Sequence, residues 1–180
     1  YVGIDFTGEA SADILSDLGA GIPVANKVAD IVILSETLEH IPDPFLLLTE
    51  ISRILKTGGS VFISTPFAFP IHGRPFDFFR YTEFFYKYVE EKYDFKLEHI
   101  KQSNCIFTTP LLLVLQILLP LPFIPYKIKQ MLSLLVNIIV FVVEFFVKKF
   151  FIHKVSSKTA GYLRAFPLGY ALIFTKSEDS

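Results

Sequence analysis

The chain has no tryptophan, one methionine and one cysteine, Cys105. A lone cysteine excludes an internal disulfide and fits a reducing compartment. No sign of charge dominates either: 17 Lys and Arg against 18 Asp and Glu leave a net charge of −1, so there is no basic field to attract nucleic acid. The four histidines, His40, His72, His99 and His153, are scattered, with no pair at ligand spacing along the chain. No metal site is expected from them, and no nucleophile–base motif is present. What the chain has in excess is apolar side chains, 52% of its residues with 20 Phe. They gather between Ile106 and Ile152, whereas the first hundred or so residues have the composition of an ordinary soluble α/β domain. The 180 residues suffice for one domain with a real core.

The organising stretch is Ala29 to Pro66. Ala29-Asp30-Ile31-Val32-Ile33-Leu34 is a short β-branched apolar run, which suits a strand buried on both faces. Ser35 to Pro44 is polar and carries two prolines, so the strand ends in a loop. Phe45, Leu48, Ile51 and Leu55 then fall three or four apart and define one face of a helix. Lys56 suits its last turn, and Gly58-Gly59 its C-terminal stop. Val61 to Ser64 reads as the next strand, which makes a right-handed βαβ unit in a mostly parallel sheet. Downstream, Thr82 is placed to cap a helix over Glu83 to Tyr93, and Phe95 to Ile100 and Gly169 to Lys176 read as strands.

Asp30-Ile31-Val32, Leu38-Glu39-His40, Asp43-Pro44, Glu50-Ile51, Arg53 to Lys56, Gly58-Gly59 and Ser64-Thr65-Pro66 occur in an order that resembles class I S-adenosylmethionine (SAM)-dependent methyltransferases of the type 11-like group. The resemblance covers roughly the first hundred residues. It implies a Rossmann-like sheet, mostly parallel with the last strand antiparallel, and SAM as cofactor. Tyr1 to Asp5 would be the family's second strand, with Asp5 at its tip accepting from both ribose hydroxyls; a carboxylate suits that task because it only accepts. On this reading the first strand and its glycine-rich loop would lie upstream of Tyr1, and the chain is expected to be N-terminally truncated. Ala12 to Asp17 would be the third strand; Asp17 would accept from the adenine amino group, and Leu18 would offer its backbone amide to the ring. Ser35 and Glu36 would meet the methionine end of SAM, and His40 would line the same pocket. The segment Pro66 to Thr82 is similar to a P-x-x-H-G-x-P-x-D-x-x-R-[YF]-T loop found in a subset of the family. It would overhang the crevice mouth, with His72 suited to proton transfer, Asp77 orienting it or a substrate or else pairing with Arg80, and Tyr81 contacting an acceptor.

The family does not explain the apolar region. Pro110 to Pro125 is apolar and punctuated by proline, and Tyr126 to Phe151 reads as one long helix. Lys127, Gln130, Ser133, Asn137, Glu144 and Lys148 form its polar stripe, and the remaining arc is wider than a small sheet can cover. Three explanations stand: an anchor lying in a membrane interface with lysines at its ends, a roof over a greasy acceptor, or a dimer surface. A spanning helix fits less well, because Met131 to Val147 is marginally long and contains Asn137 and Glu144.

The expected organisation is therefore a partial SAM-binding core over 1–105, an apolar helical insertion over 106–160, and a return to the core over 161–180. The expected activity is methyl transfer to a small-molecule or lipid-like acceptor by a cytoplasmic protein that is peripheral at the membrane through 110–152, with oligomerisation open. Two other classes compete. One is a catalytically inactive, membrane-associated scaffold. The other is a Rossmann dehydrogenase, which also puts an acid at its second strand tip but leaves Leu38-Glu39-His40 unexplained.

Overall fold

The computed structural model describes residues 1–6, 12–104, 107–147, 149 and 167–177. Cys105, Lys148, His153 and the end of the expected helix toward Phe151 lie outside them. The chain divides into two compact units, one made of Tyr1–Pro66, Ile71–Lys101 and Ala171–Ser180, the other of Phe67–Pro70 and Gln102–Tyr170.

The first unit is built on the βαβ grammar. Strand β1 (Ile4–Asp5) pairs in parallel with β2 (Ile14–Leu15), and these two form a sheet of their own. Strand β3 (Ala29–Ser35) leads through a short 3-10 turn (Leu38–His40) into helix α1 (Pro44–Ile54), which returns to β4 (Leu55–Pro66), parallel to β3. Asp43 starts α1 by accepting from the Phe45 and Leu46 amides, with Pro44 in the first turn. Leu47, Leu48, Ile51 and Ile54 form the buried face. Helix α2 (Glu83–Lys92) follows, with Tyr86 and Val89 buried, then β5 (Phe95–Ser103) and, late in the chain, β6 (Gly169–Lys176). The four-stranded sheet has the order β3-β4-β6-β5. Ser177, just past the end of β6, donates to Asp94, just before the start of β5, so these neighbouring strands run antiparallel. The sheet is thus the expected mixed one, mostly parallel with the last strand reversed.

Three local expectations are corrected. The glycine pair does not stop α1. The helix ends at Ile54, and Leu55 to Gly59 already belong to β4, whose register against β3 is irregular between Ala29 and Ile31. Gly58 takes a φ of +75°, and a Cβ on Gly59 would lie 2.9 Å from the Lys56 carbonyl oxygen, so glycine serves an irregular strand here rather than a cap. Lys56 accordingly pairs with Asp30 on β3 at 2.7 Å instead of sitting in a helix turn. Next, β3 is not buried on both faces: Ile31 and Ile33, two residues apart and so on one face, are exposed, and among the described residues nothing covers that face of this edge strand. Finally, Thr82 occupies the cap position of α2 but makes no side-chain cap bond; its carbonyl accepts from Phe85 instead.

In the second unit, α3 (Thr109–Leu118) and α4 (Tyr126–Phe146) are both apolar. Leu115, Val136 and Val140 form a small buried seam with Leu111, Leu112, Leu119 and Leu132 against it. Thr108 donates to Glu144 at 3.0 Å, so part of the polar stripe is turned inward. Outside that seam Met131, Leu134, Leu135, Ile138, Phe141, Phe145 and Phe146 are exposed. Helix α4 is long and apolar enough to cross a membrane by length and composition.

Candidate active site

In open parallel sheets, ligands bind beyond the carboxyl ends of the strands. Two polar segments of the first unit lie there: Ser35 to His40 after β3, and Ile71 to Arg80 after β4. Ser35 and Ser64 are opposite one another in the β3–β4 register, with their hydroxyls 3.3 Å apart. The next residue, Glu36, has a φ of +49°, and its amide donates to the Ser64 carbonyl at 3.0 Å. A non-glycine residue in the left-handed region is held there by its surroundings and is common at ligand clamps. The Glu36 side chain is exposed at this strand tip.

The turn after Glu36 and the loop after β4 interlock. Phe78 and Phe79 donate from their amides to the Glu39 carbonyl, and the His40 ring contacts the Phe76 carbonyl through Nδ1 at 2.5 Å. Gly73 makes this fit possible: its φ is +59°, and a Cβ there would stand 2.9 Å from His40 Cε1. The His40 and His72 rings meet edge to face with centroids 4.8 Å apart. Asp77 accepts from the His72 amide at 2.8 Å and faces its Nδ1 at 3.3 Å. Arg80 grips the same carboxylate through both terminal nitrogens, at 2.5 and 2.8 Å. That bidentate pairing holds the Asp77 carboxyl well below the usual carboxylate range, against the opposing effect of burial. The two expectations for Asp77, orienting His72 and pairing with Arg80, are thus combined in one residue.

Glu39 belongs to the Leu38-Glu39-His40 motif, and the sequence alone assigns its side chain no role. Its side chain is fully buried, and among the described residues no other residue donates a hydrogen bond to either carboxylate oxygen. Desolvation pushes its carboxyl up. Its Oε1 lies 3.8 Å from His40 Nε2 and 3.7 Å from His72 Nε2. Donor atoms of Glu39, His40 and His72 all lie within 4.8 Å of one another, so the absence of ligand spacing along the chain does not carry over to three dimensions.

Tyr81 is corrected outright as an acceptor contact. It is buried, its hydroxyl donates to the Leu38 carbonyl at 3.1 Å, and its ring packs on Phe85 with centroids 4.3 Å apart. Burial also pushes its phenol up, which suits a structural group. Asp5 ends β1, and the next ring, Phe6, meets Phe76 of the interlocked loop at 6.2 Å. Asp17 lies two residues beyond β2, exposed, and accepts from the Gly19 amide at 2.8 Å as a turn-forming aspartate does; Leu18 is half-buried within that turn. The structure therefore brings Ser35, Glu36, His40, His72 and Asp77 together, sets Phe6, the residue after Asp5, against Phe76 of the same loop, and leaves Asp17 and Leu18 in a separate turn.

The family model for the methyltransferase domain matches residues 4–101, more than half of the chain. The chain belongs to the methyltransferase domain family. Methyl transfer is its class of activity, and it is an enzyme by that membership. Solved structures agree on the fold. A SAM-dependent methyltransferase from Mesorhizobium loti superposes with a TM-score of 0.52 at 12% identity, over 97% of this chain and 79% of that one. One from Archaeoglobus fulgidus gives 0.50 at 16% identity, over 97% and 75%. The complex between the Trm112 methyltransferase activator and a candidate methyltransferase from Haloferax volcanii contains a chain that gives 0.54 at 14% identity, over 98% and 72%. No curated protein sequence matches this chain.

Proposed function

We propose that this methyltransferase takes its methyl group from SAM and delivers it to a hydrophobic acceptor at a membrane surface. When bound, SAM supplies an electrophilic methyl on a sulfonium leaving group, and the protein's task is to hold donor and acceptor in line. The residues present fit that donor. Asp5 ends its strand as an acceptor-only carboxylate, suited to a ribose diol, and Asp17 and Leu18 would hold the adenine. Ser35 and the strained Glu36 at the β3 tip would hold the methionine end, and the Ile71 to Arg80 loop would face the acceptor. The single observation that carries this reading is the family match over 4–101, together with two interlocked polar segments at adjacent parallel strand ends.

A cytoplasmic setting draws its support only from the single cysteine, and a membrane-peripheral one and a lipid-like acceptor draw theirs from the second unit. Its longest helix leaves Met131 71% and Phe141 72% exposed, with Leu134, Leu135, Ile138 and Phe145 exposed beside them, an apolar face of the kind that lies on a membrane.

Calorimetric titration of S-adenosylhomocysteine into the full natural chain tests the donor. Asp5→Ala removes charged hydrogen bonds of roughly 1.5–3 kcal/mol each and should weaken binding at least about tenfold. A folded chain that binds none would end this reading and favour a non-catalytic scaffold. Flotation with vesicles of mixed anionic and zwitterionic phospholipid tests the setting, and failure to float would remove the membrane from it.

A further inference from the structure

We propose that Glu39, His40 and His72 form a binding site for one divalent transition-metal ion. Burying a carboxylate without hydrogen bonds is costly unless a cation accompanies it, and Glu39 is fully buried with no hydrogen bond to either oxygen from another described residue. The two imidazoles are turned to meet it. His40 Nδ1 is engaged by the Phe76 carbonyl and His72 Nδ1 faces Asp77 Oδ2, while both Nε2 atoms approach the same Glu39 oxygen, at 3.8 and 3.7 Å. Metal-ligating histidines characteristically show this arrangement, one ring nitrogen on a carbonyl or carboxylate and the other on the ion.

The spacing also fits. Bonds of about 2.0–2.2 Å in tetrahedral geometry place donor atoms roughly 3.3–3.6 Å apart. The glutamate-to-histidine distances exceed that by a few tenths of an ångström, and all three donors already lie within 4.8 Å. Two imidazoles and one carboxylate suit zinc, cobalt or iron(II) better than the oxygen-seeking magnesium and calcium. Three protein ligands leave positions open for water or an acceptor oxygen. Arg80, the nearby cation, is bound bidentately to Asp77 rather than to Glu39. In this arrangement His72 is a ligand rather than a free base, and Asp77 is the positioning residue behind it.

The test uses the full chain stripped by a chelator, titrated with Zn²⁺ alone by calorimetry and with Co²⁺ followed by visible absorption. The expected result is one equivalent bound, nitrogen-ligated cobalt bands, and a melting temperature that rises with Zn²⁺. His72→Asn and Glu39→Gln should each weaken binding at least about 100-fold, and Asp77→Asn by the roughly 10–100-fold of an outer-shell change. His72 is partly exposed, so its variant reports ligand loss even where Glu39→Gln fails to fold. His99→Ala, at an exposed position on β5, should bind as the parent does. A folded chain that takes up neither ion overturns the proposal, as do undiminished binding in His72→Asn and lost binding in His99→Ala. None of these readouts involves the methyl donor, so this site and the proposed methyl transfer fail or stand separately.

Discussion

In α1, Leu47, Leu48 and Ile51 are fully buried, and the polar residues between them face outward. In α4, only Val136 and Val140 are buried, and Met131, Leu134, Ile138, Phe141 and Phe145 are exposed. Both helices are rich in Leu, Ile and Phe, and their apolar residues meet opposite fates. Hydrophobic content tells how much surface seeks cover; periodicity and neighbours tell how much of it the fold itself covers. In α1 the apolar stripe matches the sheet it lies on. In α4 the exposed apolar residues outnumber the two, Val136 and Val140, that are buried in the seam with α3.

Variants that reverse this contrast would break it. The largest effect is expected at Phe174 on β6, fully buried with its ring 5.7 Å from Phe95: Phe174→Ala should cost about 3–5 kcal/mol in a urea denaturation series. A smaller loss should follow Lys176→Met. This buried lysine donates to the Ser52 and Leu55 carbonyls at the end of α1, at 2.6 and 3.3 Å, and leaving those acceptors unmet should cost about 1–2 kcal/mol.

Arg53→Ala should show mainly as acid sensitivity. Arg53 binds Glu50 at 2.7 Å and reaches the Ile22 and Val24 carbonyls, and its hydrogen bonds pull the Glu50 carboxyl down to about 2 from the ordinary 4.5. A depressed carboxylate stabilises fully above the unfolded value and loses that contribution as pH falls through the folded one. The parent should therefore keep this part of its stability from pH 4.5 upward and lose it toward pH 2, while the variant keeps only the smaller part that the Ile22 amide supplies to Glu50. A circular-dichroism acid titration should show unfolding beginning at higher pH in Arg53→Ala. Equal midpoints would mean that the pair is solvated.

The smallest effect on stability is expected at Phe141→Ser, within about 0.5 kcal/mol, because that ring contributes little to the seam. The same variant should reduce vesicle flotation. A loss as large as that at Phe174 would mean that the apolar face of α4 is covered after all.

Much of the sheet was legible because its signals are local: a β-branched run, a three-four stripe and a polar loop with prolines. The glycine pair at 58–59 misled because the same residues mark a helix stop and an irregular strand, and only the partner strand decides between them. Tyr81 read as an acceptor contact because its loop follows a strand end, but one buried hydrogen bond to Leu38 turns it inward. Glu39 carried no signal beyond its family motif, since its meaning depends on two histidines, one of them reached only after α1 and β4. Lys176 was equally opaque: a lysine at a strand end suggests solvent, and nothing local places it against the last turn of α1.

The sheet order β3-β4-β6-β5 has a consequence for how the protein is made. The strand between β4 and β5 is the last of the six to leave the ribosome, after both apolar helices. Until Gly169–Lys176 is synthesised, β4 and β5 have no shared partner, and Phe95 lacks the ring of Phe174. The α3–α4 hairpin therefore emerges while the sheet is still open, so a membrane or a chaperone can engage it before the core seals. Nascent chains stalled before Gly169 should accordingly be protease-sensitive throughout the first unit, and release of β6 should protect it in one step.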